Sequence, residues 1–148
     1  MARATTRRRD IEVVRVREAV EAAERLTSAE IVVSVAPFFL GRVWTAARRA
    51  FARLGVARTR GRNGVLVFVV PSRRQVIVLA DDGAVARIEP AIWRDAAARI
   101  AAAFARGEGT AGLVDGIEWL ARVLSGPFPH ERTDVNELPD QPHLGGFS

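Results

Sequence analysis

The chain has 148 residues, 49% of them apolar, with 22 basic against 17 acidic side chains, a formal charge of +5, two histidines and no cysteine. A domain of this length can withdraw roughly 70 % of its unfolded surface from water without a disulfide or structural metal. The lack of cysteine excludes thiolate catalysis, iron–sulfur clusters and Cys-type zinc sites. The apolar run at 65–70 falls far short of the ~20 residues that a bilayer-crossing helix needs, and residues 1–10 carry charge without an apolar core, which predicts a soluble, cytoplasmic protein.

Every basic residue is arginine, and the charge is unevenly spread. Residues 1–74 hold 16 arginines against 6 acids, whereas residues 75–148 hold 6 against 11. Between Ile31 and Ala80 there are nine arginines (Arg42, Arg48, Arg49, Arg53, Arg58, Arg60, Arg62, Arg73 and Arg74) and no carboxylate. A surface of that kind attracts anions.

Residues 1–9 lack apolar periodicity and read as a flexible basic arm. Val13, Val16, Val20 and Ala23 then fall at helical spacing, predicting an amphipathic helix over 10–26. Residues 30–36 are β-branched and stopped by Pro37, as in a buried strand. A second helix over 42–54 places Val43, Ala47, Ala50, Phe51 and Leu54 on one stripe and most of its arginines on the other. The run at 65–70 is apolar on both alternating faces, the pattern of an interior strand covered on each side. Pro71, Ser72, Arg73 and Arg74 supply turn chemistry, so a third strand over 76–79 pairs antiparallel with the second. Residues 84–88 fit either a short helix or a fourth edge strand. Helices follow over 90–105, with Pro90 in its first turn, and over 110–124, where Gly112 and Gly116 permit close packing on a neighbour. Residues 127–148 are acidic and proline-containing, with both histidines, and read as a tail without regular structure. The order implies an α/β fold: a three-layer α/β/α sandwich around a small mixed sheet of three or four strands, occupying residues 10–126.

Several short motifs occur in a recognisable order: Thr27-Ser28-Ala29-Glu30-Ile31, Arg60-Gly61-Arg62-Asn63-Gly64, Trp93, Phe104-Ala105-Arg106-Gly107, Ala111-Gly112-Leu113 and Ile117. Together they resemble the TPM domain family over residues 10–126, and Asn136-Glu137-Leu138-Pro139-Asp140 looks like the tail of its short bacterial members. The resemblance implies an α/β/α sandwich. It also implies divalent-metal binding and acid phosphatase activity of the kind attributed to some members, here weak or vestigial.

Strand polarity locates a candidate site. If the first two strands are parallel and the third antiparallel, Glu30, Asn63, Asp81 and Asp82 converge on one rim, with Arg60 and Arg62 beside them. Carboxylate and amide oxygens suit Ca²⁺ or Mg²⁺, and guanidinium groups suit a phosphate, the parts of a metal-assisted phosphatase. The plainer reading is a turn at Asp81-Asp82-Gly83 and an ion pair between Glu30 and Arg62. No residue can be assigned as catalytic: Gly-x-Ser-x-Gly and Cys-x5-Arg are missing, and no histidine falls within residues 10–126. The alternative is a non-catalytic interaction module whose arginines, with Trp44, Phe38 or Phe39, engage an anionic protein or membrane surface; nucleic acid is the less favoured partner. The acidic stretch at 131–140 is a further candidate to cover those arginines.

Overall fold

The structure, a computed structural model, describes residues 11–36, 41–131 and 143–144. Its elements run α1 (Val13–Glu24), β1 (Ile31–Val35), α2 (Val43–Arg53), β2 (Val65–Val70), β3 (Gln75–Ala80), α3 (Asp82–Arg87), α4 (Pro90–Ala105), α5 (Gly109–Ser125) and β4 (His143–Leu144). The expected basic arm, Phe38 and Phe39, and most of the acidic stretch at 131–140 lie outside the described residues.

The sheet order is β3-β2-β1-β4. Parallel pairing sets Ile31 against Val65 and Val35 against Val69, and the β2–β3 hairpin sets Val65 against Ala80 and Val70 against Gln75. The hairpin closes through a 3₁₀ turn, Pro71–Arg73, which Pro71 starts with its fixed φ and which leaves Arg74 left-handed at φ 53°.

Alternation along the strands divides the core into two layers. Ile31, Val33, Val35, Val65, Val67, Val69, Val76 and Val78 face α1, α4 and α5. Val32, Leu66, Phe68 and Val70 face the other way, onto Val43, Ala47 and Ala50 of α2. β2 is buried at every residue because it has strands on both edges and helices on both faces. On the three-helix side α4 and α5 approach closely: a Cβ on Gly112 would stand 2.2 Å from the Ala103 Cβ, and one on Gly116 would stand 2.6 Å from the Ile100 side chain. The outer edge of this pair is tied by Arg99, which bonds Asp115 at 3.2 Å and stacks 4.9 Å above the Trp119 ring.

Two segments differ from the sequence expectation or complete it. Residues 84–87 belong to a helix and not to an edge strand, because Asp81 caps α3 by accepting the Asp82 N–H at 2.8 Å; Ile88 is its extended C-cap. The fourth strand comes instead from the tail, where His143 and Leu144 lie parallel to Ser34 and Val35. The tail is thus not wholly irregular. Its beginning is also docked: Phe128 is buried, its carbonyl accepts bonds from Thr27 Oγ1 and from the Ser28 N–H, and His130 Nδ1 donates to the Glu24 carbonyl at 2.8 Å.

Candidate functional site

The strand directions bring the predicted residues to one rim. The ladder extends one step past the strands, with Val65 N–H bonded to the Glu30 carbonyl at 2.8 Å and Asp81 N–H to the Gly64 carbonyl at 2.9 Å. Glu30, the Asn63-Gly64 pair and Asp81 therefore sit side by side at the start of β1, the start of β2 and the end of β3. Their exposures are 5%, 7% and 5% for Glu30, Asn63 and Asp81, whereas the Asp82 side chain is 90% exposed.

The rim is an interlock between the loop before β2 and the first turn of α3. Thr59 Oγ1 accepts the Asn63 N–H at 3.1 Å and lies 3.2 Å from Asn63 Oδ1, to which it donates. That clamp turns the loop so that Arg62 adopts φ 52° and its carbonyl receives the Gly83 N–H at 2.8 Å. Gly83 is required there, because a Cβ would stand 2.3 Å from the Gly61 carbonyl oxygen. Arg62 then folds onto Asp81 in a two-pronged pair, Nε to Oδ2 at 2.6 Å and Nη2 to Oδ1 at 3.0 Å, with Asp82 Oδ2 3.5 Å from the same Nη2. An ion pair at the rim joins Arg62 to Asp81 and Asp82, and Arg60 is exposed nearby.

A second locus lies on the opposite side of the sheet from α4 and α5. The outward arc of α2 presents Trp44, Arg48, Arg49 and Arg53, with Arg42 at its N-cap, all exposed. None of these arginines pairs with a carboxylate among the described residues. Arg73 reaches across from the hairpin turn and donates to the Gly41 carbonyl at 2.5 Å, which places Arg73 and Arg74 beside the start of α2. Trp44 is 52% exposed, while Trp93 is buried and Trp119 half-buried.

The family model described as "TPM domain" matches residues 9–123. The chain belongs to the TPM domain family. The BA42 protein from the psychrophilic bacterium Bizionia argentinensis, solved by NMR, is similar at 30% identity and a TM-score of 0.83, with 90% of this chain and 92% of that chain covered. A search of curated proteins gives no match.

In this TPM domain the rim does not fit a divalent ion as its side chains stand. Both Asp81 oxygens are engaged by Arg62, and Oδ1 also accepts the Asp82 N–H. The Asn63 amide oxygen is turned to Thr59, and among the described residues no group of three or more His, Asp or Glu side chains is close enough to hold an ion. No helix of the described residues is long and apolar enough to cross a membrane.

The pair sets the charge state of Asp81. The hydrogen bonds from Arg62 hold its carboxyl below the usual value; burial opposes this, while the Asp82 N–H and the Arg62 charge add to it. Arg62 is raised in turn by its bond to Asp81. A carboxylate depressed in the folded state contributes stability that is complete above its unfolded pKa and is lost as pH falls through the folded one, here from about pH 5 downward. Asp81→Asn keeps a capping oxygen but removes the charge, so its melting temperature falls less than that of the wild type between neutral pH and about pH 3. Parallel pH curves for the two proteins would contradict the assignment.

Proposed function

We propose that this TPM domain is a non-catalytic docking module whose α2 face seats on an anionic membrane surface. The observation that carries the reading is the exposed arginine arc of α2, which has no carboxylate partner among the described residues, with Trp44 at its border. Guanidinium groups without a carboxylate partner among the described residues are available to headgroup phosphates, and each adds about 1 kcal/mol near an anionic surface. An exposed indole beside them favours a lipid interface over a purely polar partner, since its ring is apolar and its N–H can bond at headgroup level.

The hydrolytic reading draws on the rim and has less support. A general base must take a proton near the working pH, and Arg62 makes the Asp81 carboxylate a weaker base.

Sedimentation with vesicles of phosphatidylcholine, with and without phosphatidylglycerol, tests the proposal. The full chain is expected to bind only the anionic vesicles, to release as salt rises, and to show blue-shifted emission that Trp44→Phe abolishes. Equal binding to both vesicle types, or to neither, overturns it. A salt-sensitive complex with RNA and none with vesicles would move the surface to the nucleic-acid class.

A further inference from the structure

Asp81 lies almost wholly out of water and remains ionised, and a buried carboxylate is tolerated only where paired charge and hydrogen bonds compensate it. Its neighbour Asp82 adds a second negative charge at the first turn of α3. One cation answers both. The Arg62 guanidinium contacts both carboxylates from a left-handed backbone that a non-glycine residue adopts only at some cost. The loop holds that backbone through bonds from Arg62 N–H to the Thr59 carbonyl at 3.2 Å and from Gly83 N–H to the Arg62 carbonyl. Arg62 projects from the loop and Asp81 from the end of β3, so the pair also fastens two segments 19 residues apart.

We propose that the Arg62 guanidinium is the resident cation of this rim, performing intramolecularly the neutralising and clamping that a divalent ion performs at an acidic sheet edge, so that the folded chain is independent of Ca²⁺ and Mg²⁺. Such an ion needs oxygen ligands facing a common point. Here the oxygens of Asp81 face a planar fork of N–H donors, and the amide oxygen of Asn63 faces Thr59. A side chain tethered to the rim is present at unit stoichiometry whatever the ionic composition around it.

Thermal melts of the full chain in chelator, in millimolar CaCl₂ and in millimolar MgCl₂ test this. The wild-type midpoint is expected to be the same in all three. Arg62→Gln melts several degrees lower in chelator and regains most of that loss with Ca²⁺, because the two carboxylates are left uncompensated. Arg62→Gln combined with Asp81→Asn recovers part of the loss and responds to neither ion, since removing both members of a pair leaves no orphan charge. If Arg62→Gln alone fails to fold, the double variant still reads the pairing. A wild-type midpoint that rises with either ion overturns the proposal. So does an Arg62→Gln protein as stable as the wild type, one that Ca²⁺ leaves unimproved, or a double variant no more stable than Arg62→Gln alone.

Discussion

Replacing Arg48, Arg49 and Arg53 together by glutamine is expected to weaken partitioning onto phosphatidylglycerol vesicles by about a hundredfold, while the fold is unchanged. The size follows from about 1 kcal/mol per arginine at an anionic surface, or about 3 kcal/mol for three. Stability is spared because all three side chains are exposed and bond to no described residue, and such surface changes fall within about 0.5 kcal/mol. The companion variant is Arg15, Arg94 and Arg122 to glutamine, which removes the same charge from α1, α4 and α5 on the other side of the sheet. If binding depends on the α2 face, the companion loses only the small long-range share of net charge. Equal losses in the two variants would show that the whole molecule's +5 acts as a diffuse field and that no particular face is used.

The layers were legible in the sequence for reasons that the structure makes concrete. The run at 65–70 carried no polar face, and β2 has none to offer because it is enclosed on every side. The 3.6-residue stripe of α2 named Val43, Ala47 and Ala50, the three residues it buries. Rim convergence followed from polarity alone: two parallel strands begin where an antiparallel third ends, so Glu30, Asn63 and Asp81 had to meet. The partners of those side chains were not legible. The pairing of Arg62 with Asp81 depends on a left-handed arginine, a conformation that sequence patterns assign to glycine or asparagine. Asp81 as an N-cap was signalled by its residue type, yet the same Asp-Asp-Gly also reads as a turn or as cation ligands. The strand at 143–144 had no local signature at all: two residues hold no period, and only their pairing with Ser34 and Val35 makes them a strand.

Gly64→Ala is expected to cost about 3 kcal/mol or more, and so to lower the melting temperature by roughly 10 °C in a chain of this size. A Cβ at this position would stand 2.2 Å from the Val56 carbonyl oxygen and 2.8 Å from Val56 Cγ1. The nearest atom belongs to backbone, and Val56 is wholly buried under α2, so the obstacle cannot rotate away. Gly64 cannot retreat either, because its carbonyl accepts the Asp81 N–H while the next residue donates to the Glu30 carbonyl. Any shift that relieves the clash therefore pulls apart the ladder on which the Arg62–Asp81 pair is built. Gly107→Ala gives the scale for a purely conformational penalty: φ is +80° there and a Cβ meets nothing within 4 Å, which corresponds to about 1 kcal/mol. Urea and thermal unfolding of the two variants separate the causes. A Gly64→Ala protein no less stable than Gly107→Ala would mean that the rim yields where its backbone bonds say it is held.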